Sequence, residues 1–317
     1  MRIKIDEIAY EFGSEKEDLS VLKQDNPEWD IDKIFNTVGV NNRHCSSDDE
    51  TALDLAISAA KKLTNNLNDV DLLLFVTQSP DFILPTTACI AQERLSLSKN
   101  VAAFDINLGC SGYVYALSVV GSMMESNQAK KALILCGDTY TKYIAKNDRT
   151  NRPLFSDAGS ATIISISNDN NSIGPFLYGT DGSGAENLIV RNSASKIEND
   201  KSNNLYMNGG EVLLFTMSNV PKGTKKLLEN ANISIDEIDY FLFHQASKVV
   251  MNNIKKKLGL SEEKFLTNFQ DHGNTVSCTI PILLKENIES GVINRGDKLM
   301  MFGFGVGYSY GACILEY

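Results

Sequence analysis

Three residues far apart in the chain have the types that thioester chemistry uses. Cys110 stands in "AFDINLGCSGYVYALSVV", His244 follows the apolar run "YFLF", and Asn274 lies in "HGNT". A thiolate is a nucleophile, an imidazole a base or hydrogen-bond donor, and a carboxamide a second donor for a developing oxyanion. Together they meet the needs of acyl transfer through a thioester. Cys110 sits where a β-like run gives way to a helical one. Unpaired backbone N–H groups at a helix N-terminus stabilise negative charge, so the spacing predicts a thiol pKa lowered from about 8.5 toward 7. Taken singly, each residue has an ordinary use: a buried cysteine as a small hydrophobe, a histidine in a hydrogen-bonded core, an asparagine in a turn or N-cap. The case for chemistry rests on their convergence. His44, in a polar segment, and His272, beside the "HGNT" turn, are read as supporting residues. With three histidines scattered and no i, i+3 or i, i+4 ligand pair, no metal site is expected.

The elements that must bring these residues together follow from periodicity. Apolar runs predict strands at 2–10, 70–76, 102–107, 132–136 and 161–166, and helices near 50–64, 87–95 and 111–126. Val114, Leu117, Val120 and Met124 share one face of the last helix. The two halves also echo each other. "VDLLLFVTQS" from Val70 matches "IDYFLFHQAS" from Ile238 at an offset of 168, Gly109 pairs with Gly273 at 164, and Gly137 with Gly303 at 166. Three offsets in order, agreeing within four residues, point to a duplicated α/β unit. The expected division is a half at 1–168 carrying the cysteine and a half at 169–317 carrying the histidine and asparagine, each a mixed sheet covered by helices. Equivalent strand ends should converge near the pseudo-twofold axis, and Cys110, Asn274 and His244 are all expected at such ends. The stretch Gly179 to Asn204, rich in Gly, Ser, Asn and charge, is expected to be a surface loop between the halves.

Composition narrows the functional classes. The 317 residues are 43% hydrophobic, enough for a large core in one or two domains. A formal charge of -10 argues against general affinity for nucleic acid or anionic membranes. The N-terminus begins directly as an alternating strand, with no apolar run long enough for a signal peptide or membrane span. A cytosolic protein with reduced thiols is expected. Its six cysteines form no CxxC pair, which leaves zinc knuckles and dithiol redox sites unsupported.

Along nearly its whole length the chain resembles β-ketoacyl-acyl-carrier-protein synthase III, within the thiolase-like superfamily. The resemblance is carried by "EW" at 28–29, "NNRH" at 41–44, "GCSGYVYAL" at 109–117, "FSDAGSA" at 155–161, "GGEV" at 209–212, "HQAS" at 244–247, "KKLG" at 256–259, "HGNT" at 272–275 and "FGFGVGYSYGA" at 302–312. It implies a duplicated thiolase-like fold with layers αβαβα. It also implies a two-step reaction in which Cys110 takes an acyl group from a thioester, and His244 with Asn274 stabilise the enolate formed as a malonyl thioester loses carbon dioxide. The backbone N–H groups of Cys110 and of the Val306 to Gly307 loop are expected to form the oxyanion hole. No cofactor is implied beyond acyl-coenzyme A or acyl-carrier protein and malonyl-carrier protein as substrates.

The same resemblance assigns Trp29, Arg149 and Ser247 to the substrate entrance, and Leu84 to the acyl pocket of the partner in a homodimer. Lys248, Lys255, Lys256 and Lys257, on one predicted helix, offer a cationic face to an acidic carrier protein, or a solvated face and nothing more. The chain departs from the pattern in reading "EWDIDKIFNTVGV", with Lys33 as the only cation where an arginine is usual, and in carrying Ser247 and Val249 where asparagine and arginine are common. Two other readings stay open: acyl transfer to a hydroxyl, amine or thiol without condensation, and a non-catalytic homologue that binds carrier protein.

Overall fold

The computed structural model describes residues 1–167, 172–198 and 202–317. The chain runs through β1 (Ile3–Phe12), β2 (Glu15–Asp18), α1 (Leu19–Asp25), α2 (Ile31–Val38), β3 (Asn42–Cys45), α3 (Ala52–Lys61), β4 (Leu72–Val76), α4 (Thr87–Arg94), β5 (Ala102–Ile106), α5 (Gly112–Glu125), β6 (Lys131–Asp138) and β7 (Ala158–Ile166). It continues through β8 (Ser172–Thr180), β9 (Leu188–Val190), β10 (Leu205–Met207), α6 (Gly209–Ala231), β11 (Tyr240–Phe243), α7 (Lys248–Leu258), α8 (Phe269–His272), α9 (Thr279–Glu289), β12 (Lys298–Gly305) and β13 (Ser309–Glu316). Every strand and helix expected from periodicity is present, with ends shifted by a few residues.

The duplication is visible in the sheets. The first has the order β1-β7-β6-β4-β5 and the second β11-β12-β13-β8. Reading β4, β6, β7 and β1 against β11, β12, β13 and β8 gives the same neighbours. The sense of pairing also agrees: β4 with β6 and β11 with β12 are parallel, and the other pairs are antiparallel. β4 is buried throughout and apolar at every position, as a central parallel strand covered on both faces must be. The boundary expected between residues 168 and 169 lies outside the described residues.

Five layers result. Helices α5 and α9 lie between the sheets, α5 touching β4 and β6 on one side and β12 and β13 on the other, and α9 touching β1 and β11. The outer layers are α3 with α4, and α6 with α7. Val114, Leu117, Val120 and Met124 all face the central core. Truncating Leu117, which is fully buried there, to alanine is expected to cost roughly 2–5 kcal/mol. Among the described residues no helix is long and apolar enough to cross a membrane.

One expected loop, at residues 179–204, is a loop only in its later part, the described residues 191–198 and 202–204. The earlier part holds the end of β8, a 3-10 turn at Gly182–Asn187, and β9, which pairs with β10 just beyond the stretch. The segment follows β8 of the second sheet, and Leu188 lines the central cavity and packs in one cluster with Cys110, Tyr140 and Phe155. Gly, Ser and Asn dominate its composition, so the two short strands leave little periodic signal; residues 199–201 lie outside the described residues.

Candidate active site

Cys110 precedes the first turn of α5, with Ser111 as its N-cap, where the strand-to-helix junction was expected. It is 7% exposed. The second half closes over it: a β-carbon on Gly303 would fall 2.5 Å from the Cys110 carbonyl oxygen, and one on Gly305 would fall 3.1 Å from Sγ. Only glycine lets β12 pass this close. Ser111 Oγ lies 2.8 Å from Ser309 Oγ, which itself donates to the Val306 carbonyl, so the α5 N-terminus is pinned to the loop after β12.

The expected lowering of the thiol pKa does not hold in this state. Burial pushes the Cys110 thiol well above its ordinary value, and the nearby Asp138 carboxylate adds to the effect. Desolvation outweighs the helix N-terminus. A thiol held protonated needs a base at the moment of attack.

His244 is delivered by the end of β11, its backbone N–H donating to Phe302 on β12. Its ring is buried, edge-on to Phe304, and burial holds its pKa down at about 3. The imidazole is therefore neutral at physiological pH. Nδ1 lies 2.8 Å from Thr279 Oγ1, and Nε2 lies 3.4 Å from the Asn274 side-chain nitrogen.

Asn274 is zipped to the first half through its backbone. Its N–H donates to Leu154 and its carbonyl accepts from Ser156, both at 2.9 Å. The Val276 backbone N–H donates to Asn274 Oδ1 at 2.9 Å, which turns the amide nitrogen toward His244. Val276 itself has φ +53°, a left-handed conformation costly for a β-branched residue. Asp138, fully buried at the end of β6, accepts from Gln78 and Ser79 on its own half and from the backbone and hydroxyl of Ser277 on the other. Burial raises its pKa to about 7. Arg43 and Arg152, both buried, pair with Glu17, and Arg43 also donates to the Phe155 carbonyl. The Phe155 segment bridged to Asn274 is thus itself fixed by a charged brace.

Cys110, His244 and Asn274 line one cavity of about 260 Å³, joined by Tyr140, Phe155 and Phe304, and its lining is mostly apolar. Val306 lines it beside Gly305; Gly307, at φ +133°, does not. Ser247 lines the mouth as the N-cap of α7, next to Val249. Arg149 is exposed beside Thr150, which lines the mouth. Trp29 is not available there. It is only 4% exposed and lines a separate cavity with Leu19, Lys23 and Asp32, and Lys23 clamps the Pro27 and Trp29 carbonyls. The lysines of α7 do not form one free cationic face. Lys248 stands over the Phe35 ring, Lys255 pairs with Glu262, Lys257 donates to the Met217 carbonyl, and Lys256 is exposed. Leu84 is 80% exposed, in a loop with Phe82 and Ile83 that projects apolar side chains from the surface.

His272 binds Glu286 at 2.7 Å and stacks on Phe12, which also stacks on His44. Neither histidine lines the central cavity, in keeping with their reading as supports. Asp138, Ser277 and Thr279 are the site residues that sequence reading missed. Asp138 closes an apolar strand in "LILCGD", which is a signal in hindsight for a buried carboxylate; Thr279, at the first position of an apolar helix, carried none.

A doubled five-layer α/β fold with a buried cysteine at the N-terminus of a central helix, opposite a histidine and an asparagine, defines a member of the thiolase-like superfamily. The comparisons narrow this. Residues 104–182 match the family described as 3-oxoacyl-[acyl-carrier-protein] synthase III, and residues 228–317 match its C-terminal counterpart. The chain is 36% identical over 311 residues to the β-ketoacyl-[acyl-carrier-protein] synthase III of Clostridium perfringens strain ATCC 13124, covering 95% of this chain and 94% of that one. To the protein of the same name from Lactococcus lactis strain IL1403 it is 33% identical over 312 residues, covering 95% and 94%. A crystal structure of a 3-oxoacyl-(acyl-carrier-protein) synthase III superposes with a TM-score of 0.94 at 38% identity over all of both chains. That of the Burkholderia xenovorans LB400 synthase gives 0.95 at 34% identity, covering 99% and 94%. The chain belongs to the β-ketoacyl-acyl-carrier-protein synthase III family.

Proposed function

We propose that this protein is a decarboxylating condensing enzyme of the acyltransferase class. In the first step the Cys110 proton passes to His244 Nε2 and the sulphur attacks an acyl thioester. The carbon–sulphur bond to the carrier breaks, and the departing thiolate takes the proton back from Nε2. The backbone N–H groups of Cys110 and Val306 hold the developing oxyanion. In the second step a malonyl thioester loses carbon dioxide. The electron pair left behind forms an enolate, whose oxygen faces the Asn274 amide and the His244 ring. Its carbon attacks the acyl-cysteine, giving a 3-ketoacyl thioester and freeing the sulphur.

The observation that carries this reading is the convergence of Cys110, His244 and Asn274 on one buried cavity, with the Asn274 amide nitrogen locked toward the histidine. Simple acyl transfer needs no such donor, and a non-catalytic homologue needs none of the three. The mouth supports a carrier protein as acyl donor over coenzyme A, because Trp29 is buried and Val249 is apolar. Arg149, Lys248 and Lys256 would meet the acidic carrier. The exposed Phe82, Ile83 and Leu84, and the open edge of β5 with Phe104 37% exposed, support a homodimer in which Leu84 reaches the partner's acyl pocket. Six free thiols suit a reducing, cytoplasmic setting.

The test is carbon dioxide release and 3-ketoacyl product from malonyl-carrier protein with a panel of acyl-carrier proteins and acyl-coenzyme A esters. Product formation that is lost in Cys110→Ala supports the reading. Transfer of the acyl group to a hydroxyl or amine with malonyl thioester left intact would replace it.

A further inference from the structure

We propose that Thr279 is the positioning residue that fixes the ring proton of His244 on Nδ1, leaving Nε2 as the single port through which protons enter and leave the reaction. The proposal rests on the condensing reading above for its consequence, and on hydrogen-bond geometry alone for its assignment.

Thr279 has one hydroxyl proton and two neighbours. Its Oγ1 lies 3.2 Å from the Val276 carbonyl oxygen and 2.8 Å from His244 Nδ1. A carbonyl oxygen only accepts, so the hydroxyl donates there, and the lone pair that remains faces Nδ1. Nδ1 must then carry the hydrogen. The other end of the ring gives the same answer independently. Val276 N–H can only donate, so the atom it meets at 2.9 Å is Asn274 Oδ1. The Asn274 atom 3.4 Å from Nε2 is therefore the amide nitrogen, which can only donate, and Nε2 must accept. The two bonds are separate, though Val276 takes part in both, its N–H meeting Asn274 and its carbonyl meeting Thr279.

The tautomer has a chemical consequence. With Nδ1–H committed to Thr279, the bare ring nitrogen is Nε2, beside the Asn274 amide, and His244 and Asn274 line the same cavity as Cys110. Nε2 is placed to take the thiol proton during loading. Decarboxylative condensation consumes one proton from solvent, because the carboxylate leaves as carbon dioxide and Cys110 ends as a thiol. That proton arrives on Nε2 as the anionic malonyl group enters, is donated toward the enolate oxygen, and passes to the cysteine sulphur as the acyl group leaves. Nδ1–H stays on Thr279 throughout, and no change of tautomer is needed between the two steps.

The experiment is nitrogen NMR of protein labelled with 15N-histidine, without substrate, together with single-turnover acylation of Cys110 and its alkylation by iodoacetamide. With only three histidines the spectrum is simple to assign. The wild type is expected to show His244 neutral, with a protonated Nδ1 and a bare Nε2. In Thr279→Val the Nδ1–H loses its acceptor, so the proton shifts toward Nε2 and acylation slows about tenfold with little change in KM. Thr279→Ser keeps the wild-type pattern and rate. A wild type protonated at Nε2 overturns the proposal without needing any variant to fold. So does a Thr279→Val protein that keeps Nδ1–H, or one that acylates at the wild-type rate. The expected nitrogen pattern in a protein that fails to decarboxylate malonyl thioesters would support the tautomer assignment and count against the condensing reading.

Discussion

A β-carbon built on Gly305 would stand 3.1 Å from the sulphur of Cys110 and 3.2 Å from its Cβ. The nucleophile of one half is thus covered by a bare backbone position of the other. The smallest substitution, Gly305→Ala, forces the sulphur or the strand to move by a few tenths of an ångström. Such a displacement at the reacting atom is expected to slow acylation by about 10²-fold while Tm changes by only a few degrees. Stopped-flow or quenched-flow loading of Cys110 beside a thermal melt separates the two effects. Loading at the wild-type rate would show that Sγ has room to spare.

Asn274 is assigned to the second step more than the first. Asn274→Ala is expected to lower 3-ketoacyl formation by about 10² to 10³, the loss typical of removing one oxyanion donor, with loading of Cys110 reduced by less than about tenfold. Measuring the two partial reactions separately checks this. An equal loss in both would make Asn274 a support for His244 and not a donor to the enolate.

Asp138 and Cys110 are coupled through charge. Burial raises the Cys110 thiol and the Asp138 carboxylate raises it further, so Asp138→Asn moves the alkylation profile of Cys110 to lower pH. The carboxylate also links pH to stability. Its folded pKa, about 7, lies above the unfolded value of about 3.9, so its contribution is fully present below the unfolded value and is lost as pH rises through 7. Asp138→Asn is expected to flatten that decline in Tm between pH 4 and 7. An alkylation profile that stays put or moves upward contradicts the coupling.

The loop at Phe82 to Leu84 carries the proposal of a dimer. Leu84→Asp places a charge on an apolar tip that is 80% exposed in the single chain. Little effect on the fold of one chain is expected, but sedimentation should shift from twice the chain mass toward one, and acyl loading should fall. A wild type that sediments as a monomer removes this part of the account.

The sequence makes the framework legible where physics is local or repeated. The apolar strands, the α5 stripe and the three matching offsets reveal the repeat, and four strands of each sheet correspond, but among the described residues β5, which leads to Cys110, has no counterpart before Asn274, which follows α8. Other features depend on contacts made only after folding. The thiol of Cys110 is raised because β12 buries it, which no reading of its own neighbours reveals. Trp29 is buried beside a cavity other than the one that holds Cys110, which its own neighbours in the chain do not reveal. The α7 lysines disperse onto Phe35, Glu262 and Met217, partners on other elements. Thr279 matters through a hydroxyl 35 residues from the histidine it touches.

The central claim is that Cys110 holds the acyl group that condensation consumes. Intact-protein mass spectrometry after mixing with an acyl thioester, followed by a chase with malonyl-carrier protein, tests it directly. The account predicts an adduct that maps to Cys110 and disappears during the chase as a 3-ketoacyl-carrier protein of matching mass forms. An adduct that survives the chase, or a 3-ketoacyl product formed by Cys110→Ala, would contradict it.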